Sequence, residues 1–156
     1  MKFIVDSNVG RLARWLRIAG FDTVFINDLD DNRLVRLALS EGRVLLTKDT
    51  QILKRRVATT GRLKVLLIES EKVKEQLRQV VKALNLADKI RPFTLCLECN
   101  QLLVPKEKEE VKRLVPPYVL QTQTQYMQCP ACHRVYWRGT HWQRMSRELE
   151  RIVSES

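Results

Sequence analysis

Along the first ninety residues, short apolar runs alternate with stretches in which apolar residues recur every three or four positions. Phe3-Ile4-Val5 ends on Asp6; Val9, Leu12, Ala13, Leu16 and Ala19 then recur at helical spacing until Gly20, a stop residue. Residues 22–26 read as a second strand, residues 27–32 as a polar loop, and Leu34, Val35, Leu37 and Ala38 as the buried stripe of a second helix. Residues 44–47 form a third strand running into Lys48-Asp49, and Ile52, Leu53 and Val57 mark a short basic helix. Residues 64–68 are a fourth strand, and residues 70–86 a long amphipathic helix with Val73, Leu77, Val80, Val81 and Leu84 inside. Four strand-to-helix alternations with short connections predict an α/β fold, a mostly parallel sheet flanked by helices and joined by right-handed crossovers.

In such a sheet every strand-to-helix loop leaves the same edge, where open α/β folds bind ligands. Asp6 ends the first strand, Asp31 follows the second and Asp49 ends the third, so three carboxylates distant in sequence are expected to converge. Carboxylates a few ångströms apart raise one another's pKa unless a positive group lies between them. A divalent cation is the natural guest, and oxygen ligands favour magnesium or manganese. One or two such ions would activate water for in-line attack on a phosphodiester. For Asp31 alone, capping of the second helix is the competing explanation.

Other chemistries find no support in this part of the chain. Residues 1–91 contain no histidine and no cysteine, and Ser7 has no base beyond a neighbouring acid. No glycine-rich phosphate loop is present. The triplet Asp6-Ser7-Asn8 lacks the second carboxylate an aspartyl phosphatase needs.

Composition sharpens the choice of partner. A chain of 156 residues, 44% hydrophobic, supports one core and a small satellite. The net charge of +10 favours a polyanion, above all nucleic acid. The excess is concentrated in residues 1–91, with 19 Lys/Arg against 11 Asp/Glu. Arg11, Arg14 and Arg17 share the face opposite the apolar stripe of the first helix, either as a solvated surface or as phosphate contacts. No run reaches the ~20 apolar residues of a membrane span, and the N-terminus lacks a secretory core, so a soluble cytoplasmic protein is expected.

Arg91-Pro92 divides residues 1–91 from a tail, 92–156, that carries all four cysteines. Cys96-Leu-Glu-Cys99 and Cys129-Pro-Ala-Cys132 are two knuckles able to present four thiolates to one structural zinc. The 29 residues between them, 100–128, exceed the usual spacing and imply an extended hairpin. His133 is a possible substitute ligand. In 136–142, the aromatics beside Arg138 and His141, Trp137 among them, either stack on unpaired bases or, as Tyr136 and Trp137, pack the ribbon onto the first domain.

Taken together, Asp6-x-Asn8, the Gly10-Arg-Leu-Ala-Arg-Trp-Leu-Arg17 run, Gly20-Phe-Asp22, Asp31 and Glu41-Gly-Arg-Val-Leu-Leu-Thr-Lys-Asp49 resemble the PIN-like ribonuclease domain of the Mut-seven C-terminal family. Cys96-x-x-Cys99-Asn100, Cys129-Pro-x-Cys132 and Tyr136-Trp137-x-Gly139-x-His141 extend the resemblance over essentially the whole chain. It implies a PIN fold with an appended zinc ribbon and an acidic, metal-dependent nuclease centre acting on RNA, whether tRNA, rRNA or mRNA. Carried over, Asp6, Asp31 and Asp49 are metal-binding acids, Asn8 and Thr47 shape the site, and Asp30 assists or replaces Asp31. The family's fourth acid has only Glu69 as a candidate. His133 stands where a small, glycine-like residue is common. Arg11, Arg14, Arg17 and Lys48 are expected to hold phosphates while the ribbon grips RNA. An endonuclease is the leading expectation; a non-catalytic RNA- or ribosome-binding adaptor and a toxin of a toxin–antitoxin pair are the alternatives. The oligomeric state is left open.

Overall fold

The structure, a computed structural model, describes residues 1–155. Its centre is a four-stranded, wholly parallel sheet: β1 (Phe3–Val5), β2 (Thr23–Val24), β3 (Val44–Thr47) and β4 (Val65–Leu67), in spatial order β2-β1-β3-β4. β1 and β4 are apolar throughout and β3 is apolar up to Thr47, as a sheet covered by helices on both sides requires. Phe3, Val5 and Leu46 face one layer; Ile4 and Leu45 face the other.

The first layer contains α1 (Arg11–Ile18) and α5 (Val73–Ala83). The second contains α2 (Asp31–Glu41) and the short helices α3 (Thr50–Leu53) and α4 (Arg56–Thr59). α1 closes where Gly20 turns at φ +93°, with the Phe21 N–H reaching Leu16 O at 2.9 Å. A Cβ there would lie 2.2 Å from the carbonyl oxygen of Arg91, whose own N–H donates to Ala19 O. Glycine therefore serves both the left-handed turn and the close passage of the chain at Arg91.

Three elements are shorter than the sequence pattern suggests. β2 is a two-residue edge strand, and its exit bends through Asp28 at φ +59°. α5 starts at Val73 because the Ser70 hydroxyl accepts the Lys72 N–H at 3.0 Å, and it ends before Asn85 at φ +55°. The basic helix is split in two by the extended backbone of Arg55.

The tail builds an antiparallel sheet from β5 (Val104–Lys106), β6 (Tyr126–Gln128) and β7 (Val135–Trp137). The long insertion folds as α6 (Lys108–Val111) and α7 (Pro117–Thr122), whose Val111 and Val119 join Tyr126 in a small separate core. The last helix, α8 (Thr140–Ser154), returns to the first layer, where Leu149 and Ile152 are buried beside α5. Among the described residues no helix is long and apolar enough to cross a membrane.

Candidate functional site

The strand order reverses between β1 and β3, which marks the crevice at their C-terminal ends as the ligand edge. Asp6 prolongs β1 there, its N–H bonded to Leu46 O at 2.9 Å, and is only 8% exposed. One carboxylate oxygen accepts the Ser7 N–H, the other the Thr47 hydroxyl, each at 2.7 Å. Thr47 is fully buried, and its oxygen also accepts the Asp49 N–H at 3.0 Å. The amide oxygen of Asn8 accepts the Lys48 N–H at 3.3 Å. The loops after β1 and β3 are thus bonded to each other through Asp6, Asn8 and Thr47.

The adjacent acids of α2 have different roles. Asp30 is the N-cap, accepting the Arg33 N–H at 2.9 Å, whereas Asp31 occupies the first turn. Burial, the Asp49 carboxylate and, more weakly, the Asp6 carboxylate push the Asp31 pKa up, with Arg55 opposing. Capping therefore belongs to Asp30, and Asp31 meets the other two acids electrostatically. Asp49 meanwhile caps α3 through the Gln51 N–H at 2.9 Å.

The trio is more open than a shared point would require. Oxygens bound directly to one magnesium lie at most about 4.2 Å apart, twice a 2.1 Å bond. Among the described residues, only the four cysteines bring one ligand atom each within 4.8 Å of all the others.

The neighbouring groups depart from expectation. The Lys48 ammonium pairs with Glu71, and no described bond joins Glu69 to the acids; the Glu69 N–H donates to Gln79 Oε1 at 3.0 Å. Arg14 and Arg17 both have partners within the chain. Arg14 pairs with Glu98 at 3.1 Å, and Arg17 donates to Thr23 O at 3.0 Å and Leu97 O at 2.9 Å. Arg17 lies near the far end of α1 from Asp6 and Arg14 at its middle, and both attach the first knuckle. Arg11 alone of the three is exposed with no such partner among the described residues. Arg55, bonded to Asn32 Oδ1 at 2.8 Å, is the cation beside Asp31 that sequence reasoning missed. Nothing local distinguishes it from Lys54 and Arg56.

The two knuckles repeat one geometry. Cys99 N–H faces Cys96 Sγ, and Cys132 N–H faces Cys129 Sγ, each at 3.4 Å. Each knuckle closes on a left-handed residue, Asn100 at φ +63° and His133 at φ +66°, whose N–H donates to the first cysteine's carbonyl at 2.9 Å. His133 thus fills the glycine-like position as a turn residue, and the ligand group does not include it. Cys96 and Cys132 sulfurs are 3.7 Å apart, against about 3.8 Å across a tetrahedron with 2.3 Å arms. Four cysteines so placed could bind a metal such as zinc. The thiols do not ionise together on their own: the Arg134 backbone holds Cys132 down at about 6, while hydrogen bonding to Cys132 pushes Cys99 up to about 12.

This ribbon docks at the sheet edge opposite the acids. Asn100 accepts the Thr23 N–H at 2.9 Å and donates to Asp22 Oδ1 at 2.6 Å. Arg43 meets the same Asp22 oxygen at 2.8 Å. Although burial opposes it, the bonds from Arg43 and Asn100 hold the Asp22 carboxyl below its usual range. Trp137 packs on the ribbon's own small core. The Arg138 guanidinium stacks on Phe93 and Trp142, 5.1 and 5.0 Å from their ring centres, and His141 is exposed in the first turn of α8.

The family model of the Mut7-C RNAse domain matches residues 1–149. No curated protein and no solved structure matches the chain.

Proposed function

The chain belongs to the Mut7-C RNAse domain family, and on that premise we propose that it is a metal-dependent ribonuclease, an endonuclease that hydrolyses RNA phosphodiester bonds at the β1–β3 edge. What supports this reading is that Asp6 and Asp49, joined through Thr47, follow the two strands that flank the crevice, and that Asp31 is close enough for Asp49 and, more weakly, Asp6 to push its pKa up.

Asp6, Asp31 and Asp49 are the residues that would hold one or two magnesium or manganese ions. When bound, such an ion lowers the pKa of water and neutralises charge developing on the phosphate. Thr47 and Ser7 hold Asp6 in one orientation, leaving its remaining lone pairs towards the crevice. Asn8 positions the Lys48 loop, and Arg55 offers a cation for a phosphate oxygen beside Asp31. Zinc in the ribbon is structural: with four thiolates no ligand position stays open.

The test is metal-stripped, zinc-loaded protein incubated with mixed RNA and DNA, with magnesium or manganese added separately. Cleavage confined to RNA, abolished by Asp6→Asn or Asp49→Asn while RNA binding survives, is the expected result; equal cleavage by both variants removes the proposal. The open spacing of the acids favours one second reading, an RNA-binding adaptor. It would bind RNA with strong salt dependence and turn over under no divalent ion.

A further inference from the structure

Between α1, the ribbon and the start of α8 lies a cavity of about 700 Å³ that the acidic edge does not use. Its walls include Phe93, Tyr118, Trp137, His141, Trp142 and Arg14. That volume is within the range of small-ligand pockets, and the lining is aromatic to a degree the chain as a whole is not: aromatic residues are 6% of the sequence. Tyr118 is 64% exposed, a large ring held at the mouth with little of its surface covered.

Resting on the ribonuclease reading, we propose that this cavity is an anchoring site for unpaired nucleobases of RNA, separate from the cleavage edge. Bases present flat π-faces to aromatic rings and arginine planes whatever their identity. Phe93 and Trp142 meet edge to face at 5.4 Å, and Arg138 covers both rings. Arg138 itself is not among the residues that line the cavity; it stacks on the Phe93 and Trp142 rings and so fixes their orientation in the wall.

The phosphate accompanying a base has its own complement. α8 spans 15 residues, its N-cap Gly139 supplies no side chain, and Gly139 and Thr140 line the cavity. A helix N-terminus at the wall favours an anion, so a nucleotide's phosphate would be accommodated beside it. Gly139 itself is required by the pocket wall, since a Cβ there would fall 2.9 Å from Trp137 Nε1.

Position separates this site from the chemistry. Asp6 lies before the N-terminal end of α1, whereas Arg17 and Ile18, at its other end, border the cavity. Eight helical residues place about 10 Å between those ends. The anchored base is therefore not the nucleotide that is cut, and the substrate is a single-stranded segment long enough to reach both places.

The experiment uses the zinc-loaded full chain without added magnesium or manganese, so binding is read apart from cleavage. A fluorescein-labelled unstructured RNA 20-mer and the same strand in a duplex are titrated by anisotropy, with tryptophan quenching as the second readout. The single strand is expected to bind at least tenfold tighter than the duplex and to quench fluorescence. Trp142→Ala and Tyr118→Ala are each expected to weaken it roughly five- to hundredfold, with Trp142→Phe recovering most of the loss. Equal affinity for duplex and single strand, or wild-type binding by Tyr118→Ala together with a folded Trp142→Ala, overturns the anchor. Strand-selective, aromatic-dependent binding in a protein that never cleaves would leave the anchor standing and remove the nuclease.

Discussion

Thr47 donates its hydroxyl to Asp6 at 2.7 Å from a fully buried position and receives the Asp49 N–H at 3.0 Å on the same oxygen. One side chain therefore sets the relative placement of two acids 43 positions apart in sequence. Thr47→Val keeps the shape and removes both bonds. The variant is expected to lose about 1–3 kcal/mol in urea unfolding, the cost of leaving buried polar groups unpaired. Cleavage of RNA should fall by a larger factor than the folded fraction does, as measured at a temperature where both proteins are folded.

The raised pKa of Asp31 gives a pH dependence with a definite sign. A carboxyl whose folded pKa exceeds its unfolded value contributes stability below the unfolded value of 3.8, and that contribution disappears as pH rises through the raised folded pKa. Without a divalent ion, the melting temperature of the wild type relative to Asp31→Asn should fall across this interval. Magnesium or manganese should raise the melting temperature of the wild type above the interval and leave Asp31→Asn nearly unmoved. Parallel melting curves for the two proteins at every pH would contradict the placement of Asp31 among the acids.

Asn100→Gly isolates the bond between ribbon and sheet. Glycine tolerates the φ of +63° but forfeits the bonds to Thr23 and Asp22. A loss of about 1–3 kcal/mol with unchanged zinc content is expected. Asn100→Ala should lose about 1 kcal/mol more, because it adds left-handed strain. Unfolding by urea and a chromophoric zinc assay separate the two effects.

Zinc affinity should climb with pH. The Cys99 thiol, pushed up to about 12, must lose its proton to become a ligand, whereas Cys132, near 6, is already ionised at neutrality. Competition with a chelator of known affinity should show tighter retention at pH 8 than at pH 6. Loss of the metal should unfold the ribbon first, seen as altered fluorescence of Trp137, and leave the parallel sheet intact.

The parallel sheet and the candidate acids were legible because both follow from local pattern. Doubly apolar strands such as Phe3-Ile4-Val5, followed by 3.6-period stripes, admit few arrangements, and parallel topology then sends Asp6, Asp31 and Asp49 to one edge. The Asp30-Asp31 pair was not separable in this way, since a helix start displaced by one residue exchanges the cap and the inward carboxylate. The contacts of Arg14 and Arg17 were hidden for another reason. Their partners, Glu98 and Leu97, lie some eighty positions away, and helical periodicity records only which face is polar, not what covers it. The same holds for Lys48 with Glu71, and for Phe93 beneath Arg138.

α8 has a mechanical consequence. Because Leu149 and Ile152 belong to the core built on β1 and β3, the stretch carrying the cysteines is fastened at its beginning by Arg91 against Ala19 and at its end by α8 against α5. A clip held at two points cannot swing like a pendant module. Deleting α8 would free one fastening and at the same time bare an apolar strip along α5, so truncated chains are expected to aggregate rather than yield a trimmed, folded protein.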